Sequence, residues 1–346
     1  MPNPKHILVI RLSAMGDVAM TVPVLRVFSM QYPETKITVV SRPFFKPFFN
    51  DIPNVNFFAV DLNKRHKGFL GLLKLFSDLK KIKIDYVADL HNVLRSKIIR
   101  TLFLLFGKKV AATDKGRKAK KELTRLENKI FQPVKSMFKN HLETFNKLGF
   151  PVDLNQPTFP KKATLSEAIL NEISFSQELK KIGIAPFAQY ESKVYPLDLM
   201  QQVIDDLATN SNHIIYLFGG GKKEIELLNQ LQNNHRNVIV LAGKFNLEQE
   251  LTIISNLDVM LSMDSGNAHI AAMLGVKVIT LWGATHPYAG FKPFNQPDEY
   301  CITSDREQFP LLPTSIYGNK KVIGYENAMR TILPETVVAK IKGVIA

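Results

Sequence analysis

The sequence predicts an α/β protein made of two doubly wound parallel-sheet domains in tandem. Three observations predict it: short β-rich apolar runs alternate with longer amphipathic stretches, the pattern restarts after a proline-rich stretch at 151–160, and 346 residues suit two domains of ordinary size. In the first half, strands are expected at His6 to Leu12, Lys36 to Ser41, Asn56 to Val60, Tyr86 to Leu90 and Lys109 to Ala111. Helical spacing runs from Phe69 to Leu79 and from Leu94 to Phe106. In the second half, strands are expected at Ile182 to Ala185, His213 to Phe218, Val238 to Leu241, Val259 to Ser262 and Lys277 to Leu281. The tail from Tyr325 to Ile345 reads as helix broken at Pro334, returning to the first domain. The domains are therefore 1–160, 161–324 and a returning helix at 325–346. Ligands of open α/β sheets bind beyond the carboxyl ends of the strands, so the two sheets are expected to face a shared cleft.

Composition removes several classes. With 45% hydrophobic residues and 10% aromatics the chain has enough apolar surface for packed cores. The apolar run Ile7 to Ile10 is too short, and too soon followed by Arg11, to be a signal segment. No uncharged apolar stretch reaches the roughly 18 residues of a spanning helix, so a cytoplasmic protein is expected. One cysteine, Cys301, excludes an intrachain disulfide and a Cys-based zinc site. The net charge of +14 is uneven: residues 1–160 hold 28 Lys and Arg against 12 Asp and Glu, and the rest hold 17 against 19. Such asymmetry points to an anionic partner for the first domain, or to a solvated basic face with no partner. The densest part, 108–139, is expected to be a mobile segment on the side of that partner.

Chemistry-bearing residues cluster at expected strand ends. The first strand runs through Arg11, Ser13 and Gly16 to Asp17 at a helix start. There Asp17 is either a helix cap or a carboxylate that takes a proton from a hydroxyl. Gly16 stands alone, so the dinucleotide fingerprint G-x-G-x-x-G is absent. Gly219-Gly220-Gly221-Lys222 resembles a phosphate loop, but Tyr216 stands where Walker A requires glycine. It reads as a strand-to-helix turn that lets backbone approach a ligand.

The richest run is Ser262-Met263-Asp264-Ser265-Gly266, with His269 one turn on and Gly275 closing the helix. Small residues at a helix start leave N–H groups for an anion, which suits a diphosphate; Asp264 as a cap and His269 as a core side chain are the alternatives. Lys193, in the loop after the second domain's first strand, is either a phosphate partner or a surface lysine. Phe245 either stacks on a base or packs in the core.

Three of these runs, Arg-Leu-Ser-x-Met-Gly-Asp-x-x-x-Thr-x-Pro, Lys193-x-Tyr-Pro and Met-Asp-Ser-Gly-x-x-His-x-Ala-x-x-x-Gly, occur in order along nearly the whole chain. Together they resemble glycosyltransferase family 9, the ADP-heptose:lipopolysaccharide heptosyltransferases. The resemblance implies a GT-B fold, two Rossmann-like domains with the acceptor on the first and the nucleotide sugar on the second. It implies an inverting transfer of heptose or a related sugar from an ADP-sugar to a lipopolysaccharide inner-core acceptor, with Asp17 as general base. It assigns Gln189, Lys193, Glu224, Phe245, Asp264, Ser265, Gly266 and His269 to the donor. It assigns Ser13, Gly16 and Arg95 to the acceptor, an anionic glycolipid of the Kdo-lipid A type at the cytoplasmic face of the inner membrane. No Asp-x-Asp motif occurs, so no metal or other cofactor is expected, and Lys193 with helix N-termini would meet the leaving diphosphate. Ala188 and Gln189 depart from the small hydroxyl residue usual in the family's first phosphate loop, and Phe309 to Pro313 replace its cysteine-bearing segment. A monomer peripheral to the membrane is expected. The alternatives are a noncatalytic binder of nucleotide sugar or glycolipid, or a transferase using another sugar nucleotide. A nucleic-acid binder is disfavoured because the basic block lacks interleaved stacking aromatics.

Overall fold

The structure is a computed structural model that describes residues 5–346 apart from 174 and 177. The chain divides into two compact units, one of Met1–Gly116 with Lys135–Phe159 and one of Arg117–Val134 with Pro160–Ala346.

The first unit runs β1 (His6–Ile10), α1 (Met15–Ala19), α2 (Thr21–Gln31), β2 (Lys36–Ser41), β3 (Val55–Ala59), α3 (Gly68–Lys80), β4 (Tyr86–Asp89), α4 (Leu94–Leu105) and β5 (Lys109–Ala112). After α5 (Arg117–Thr124), which belongs to the other unit, α6 (Met137–Leu148) returns to it. Its sheet is parallel throughout, in the order β3-β2-β1-β4-β5. The chain winds outward from β1 and then resumes at β4 on its other side, so β1 and β4 flank the topological switch point. Alternation along β1 divides the core. Leu8 and Ile10 join Leu72, Leu75, Ile99 and Phe103 beneath α3 and α4. On the other face α2 and α6 meet through Phe28 and Phe145, their rings 5.0 Å apart. Helix α6 starts on Ser136, whose hydroxyl accepts the Lys139 N–H at 3.2 Å, and stops at Gly149, whose φ of 95° favours glycine.

The second unit continues through α7 (Glu167–Leu170), β6 (Lys180–Ala185), α8 (Leu197–Ala208), β7 (His213–Leu217), α9 (Lys222–Gln232), β8 (Val238–Val240) and α10 (Leu247–Ile254). It ends with β9 (Val259–Met263), α11 (Gly266–Met273), β10 (Lys277–Trp282), β11 (Cys301–Thr303) and α12 (Pro334–Ile345). The sheet order is β11-β10-β9-β6-β7-β8, all parallel, and the switch point lies between β6 and β9. All ten strands anticipated from the sequence are present, and β11 is an addition.

Two segments lie elsewhere than the sequence suggested. Pro334 opens α12 at its first helical position instead of breaking a helix. Val337, Val338, Ile341 and Val344 then enter the second unit's core against α8, so the tail does not return to the first domain to bury its apolar face. The physical reason is coverage: α12 fills the face of β9 and β10 beside α8, which would otherwise expose apolar side chains. The basic stretch 108–139 is not one long loop, because it contains β5, α5 and the start of α6. Its middle third is fastened to the second unit. Leu123 is fully buried, Lys129 Nζ donates to the carbonyls of Leu123 and Pro313 at 2.8 Å, and Val134 N–H donates to Tyr288 at 2.9 Å. Phe131 packs against His286 and Tyr288 with the Arg306 guanidinium 3.4 Å from its ring centroid.

Candidate functional site

In the first unit, Ile10 pairs with Asp89 at the carboxyl ends of β1 and β4. Beyond that pairing the chain leaves β1 through Arg11 to Ser13, turns at Ala14 and enters the short helix α1, with Gly16 and Asp17 in its first turn. The Asp17 carboxylate accepts the Ala14 N–H at 3.4 Å and so closes the turn. The same carboxylate oxygen lies 2.5 Å from Arg11 Nη2. Arg11 is buried and anchored, with Nη1 donating to the Leu90 carbonyl at 2.7 Å and its own carbonyl accepting the Ser41 hydroxyl at 2.5 Å. Asp17 keeps a third of its side-chain surface exposed, so it is oriented by a rigid cation and still open to a ligand.

Two imidazoles share this field. Burial, and then the Arg11 guanidinium, lower His141 to about 3; burial, Arg11 and Lys115 lower His91 to about 3. Both are neutral at physiological pH. Beneath them Asp89, fully buried, accepts from the backbone of His91 and Asn92 at 3.1 and 2.7 Å and from Arg100 at 3.0 Å, which fixes the turn after β4. Arg95 is exposed in the first turn of α4, which starts at the same strand end. Asp17 and Arg95 were expected from the sequence as site residues, whereas Arg11, His91 and His141 were not. Arg11 and His91 carried a signal, since both lie just beyond a strand of the switch point; His141 carried none, because it arrives from α6.

In the second unit, Ala185 pairs with Ser262 at the carboxyl ends of β6 and β9. The loop after β6 passes exposed Gln189 and tightens into a 3-10 turn at Glu191–Lys193. Tyr195 anchors the entry into α8, fully buried with its hydroxyl donating to the Ile332 carbonyl at 2.6 Å. Lys193 Nζ meets Asp264 Oδ2 at 3.2 Å, with side chains only 12% and 10% exposed. This ion pair bridges the two sides of the switch point. Ser265 is the N-cap of α11 but makes no side-chain cap bond; its hydroxyl lies 3.1 Å from that of Ser262 instead. Gly266 comes next at the first helical position, and His269 is buried one turn in. The start of α11 thus keeps N–H groups that no capping side chain takes up.

The neighbouring strand ends supply the remaining candidates. After β7, Glu224 Oε2 accepts the Gly220 N–H at 2.7 Å, holding the glycine turn closed over the start of α9. After β8, half-buried Phe245 precedes α10, whose N-cap Asn246 and Gln249 exchange bonds of 3.0 Å. The structure brings Lys193 to Asp264 and Ser262 to Ser265, and sets Gln189, Glu224 and Phe245 along the same sheet edge. Two glycines complete the wall behind Lys193. A Cβ at Gly283 would lie 2.5 Å from the Ser192 carbonyl, and one at Gly318, whose φ is +84°, would lie 2.6 Å from Lys193 Cγ. Gly318 was not expected here, and its position in the chain, far from any motif, gave no sign of the lysine it supports. Among the described residues no three His, Cys, Asp or Glu side chains converge as metal ligands do.

Residues 72–314 match the model of glycosyltransferase family 9 (heptosyltransferase). The chain belongs to this family. The family 9 match begins after Asp17, but likeness to several curated relatives covers 98% or more of the chain. The lipopolysaccharide core heptosyltransferase OpsX of Haemophilus influenzae is 25% identical, covering 98% of this chain and 96% of its own. Among solved structures, a family 9 glycosyltransferase from Veillonella parvula superposes with a TM-score of 0.76 at 20% identity, covering 100% and 98% of the two chains. An E. coli heptosyltransferase, WaaC, solved with ADP, gives 0.66 at 19% identity over 98% and 99%. The family 9 chain accordingly has the GT-B fold, two Rossmann-like α/β units each with a doubly wound parallel sheet. No helix among its described residues is long and apolar enough to cross a membrane.

Proposed function

We propose that the protein is an inverting glycosyltransferase that moves heptose, or a related sugar, from an ADP-sugar to an inner-core acceptor of lipopolysaccharide. The observation that carries this reading is the placing of one charged pair at the switch point of each sheet, Arg11 with Asp17 and Lys193 with Asp264. The family membership and the ADP bound in the WaaC relative support the choice of donor.

In the second unit, Lys193 and the first N–H groups of α11 receive the diphosphate, and Asp264 holds the lysine in place until it arrives. Glu224 takes the ribose hydroxyls and Phe245 lies beside the adenine, with Gln189 and His269 completing the donor site. In the first unit, Arg95 meets the anionic acceptor sugar while Ser13 and Gly16 line its hydroxyl. Asp17 accepts the proton of that hydroxyl as its oxygen attacks the anomeric carbon. The new glycosidic bond forms as the bond to the diphosphate breaks, the configuration inverts, and ADP leaves with the electron pair. Charge develops on the departing diphosphate, where Lys193 and the helix N–H groups stabilise it in place of a metal ion. The acceptor is an anionic glycolipid of the Kdo-lipid A type, and the enzyme works as a monomer at the cytoplasmic face of the inner membrane.

Turnover of ADP-heptose with a Kdo-bearing acceptor tests the reading. Asp17→Asn is expected to lower kcat by about 10²- to 10⁴-fold, the range of general base catalysis, with donor affinity retained. NMR of the product is expected to show the anomeric configuration opposite to that of the donor. Undiminished kcat in Asp17→Asn, or a product of retained configuration, contradicts it.

A further inference from the structure

Apart from Arg95 at the start of α4, the outer surface of α3 and α4 is not used by the proposed site. Among the described residues, fifteen large apolar side chains are exposed, and seven of them lie between Phe69 and Phe106. On α3 they are Phe69, Leu70 and Leu73, exposed by 63%, 72% and 36%. On α4 and its C-cap they are Leu94, Leu104, Leu105 and Phe106, with Leu94 and Leu105 each 75% exposed. Leu94 and Leu105 are three helical turns apart and so share one solvent-facing stripe. The helices lie side by side: the rings of Phe76 and Phe106 are 5.1 Å apart, and Lys80 Nζ stands 4.2 Å from the Phe106 centroid. The apolar groups therefore form one neighbourhood rather than scattered singles.

The charge around them has one sign. Residues 63–109 contain twelve Lys and Arg against three Asp and no Glu. Each of the three carboxylates is engaged. Asp78 is gripped by Arg65 at 2.8 Å, Asp85 accepts the His6 N–H at 2.9 Å, and buried Asp89 pairs with Arg100 at 3.0 Å. Lys67, Lys74 and Lys97 remain exposed on the same segment as the apolar stripe, and Lys81, also exposed, shares Asp78 at 3.6 Å. A second copy of this face is a poor partner, because the same cations would oppose one another.

We propose that the α3–α4 face is a docking surface for an anionic phospholipid bilayer. Phe69, Leu70 and Leu105 enter the boundary between headgroups and acyl chains, while Lys74 and Lys97 meet the phosphates. The surface extends the reading of a lipid-borne acceptor, on which its usefulness to the enzyme rests.

Co-sedimentation with phosphatidylcholine vesicles containing about a third phosphatidylglycerol tests it. Binding is expected to exceed that to pure phosphatidylcholine and to weaken as salt rises. The double variants Leu70→Ser/Leu105→Ser and Lys74→Gln/Lys97→Gln, with unchanged thermal midpoints, are each expected to bind about tenfold more weakly. Turnover on a deacylated, water-soluble acceptor is expected to be unaltered in both. Absent binding, equal binding to neutral vesicles, or variants that bind like wild type overturn the proposal. So does a dimer in sedimentation equilibrium that Leu70→Ser/Leu105→Ser abolishes while vesicles stay unbound. If vesicles bind as expected but wild type turns over no acceptor, the docking surface stands and the enzymatic reading falls.

Discussion

His141 is an unusual tenant of the first unit: it is wholly buried in α6, neither ring nitrogen has a hydrogen-bond partner, and Arg11 adds its charge to the cost of protonation. Its folded pKa of about 3 lies below the ordinary 6.5. The folded state therefore excludes a proton that the unfolded chain binds, and stability falls as pH drops from about 6.5 toward 3. This one group contributes a slope of about 1.4 kcal/mol per pH unit across that window. Urea unfolding of His141→Leu between pH 4 and 7 is expected to show the acid slope reduced by about one proton. At pH 7 the variant is expected to gain up to about 1 kcal/mol from losing unsatisfied nitrogens. An unchanged slope contradicts this role for His141. Legibility at this scale followed the strand ends: Asp17, Lys193 and Asp264 could be read because each comes after a strand of a switch point. Their neighbours His141 and Gly318 come from distant segments, and local sequence holds no trace of that approach.

At the scale of elements, strands were legible because buried parallel strands read as continuous apolar runs. β11, three half-buried residues at the sheet edge, has too little apolar pattern to announce itself. The destination of α12 was not legible either, since its apolar face would suit either sheet and only the bare face of β9 and β10 decides between them. The basic stretch misled for another reason. Its six Lys and Arg from Arg117 to Lys129 suggest a solvated segment, but Leu123 and Phe131 pack inward and Lys120 lays its stem against the fold with Nζ 4.0 Å from the Phe291 centroid. Because α12 is a structural wall of the second unit, Ile341→Ala, at a fully buried position, is expected to cost about 2–5 kcal/mol. Chemical denaturation followed at Trp282, the sole tryptophan and buried in β10 of the same unit, reads this directly. A midpoint equal to wild type would show that the helix does not belong to that core.

For the whole molecule, the charge distribution changes meaning once the units are known. Moving residues 117–134 to the second unit leaves the first with a net charge of +12 and the second with +2. The first unit still carries most of the excess, which suits the proposed anionic acceptor and surface, while the diphosphate site proposed in the second needs only local cations. That division of labour centres on the nucleotide site proposed at Lys193, Asp264 and the start of α11. The most direct test is calorimetric titration of the metal-free protein with ADP, UDP and GDP, repeated on Lys193→Ala. ADP is expected to bind most tightly, and Lys193→Ala to weaken it by roughly 10- to 100-fold, as loss of a charge-assisted contact should. Tighter binding of UDP or GDP, or ADP binding indifferent to Lys193, would contradict the assignment of the nucleotide site.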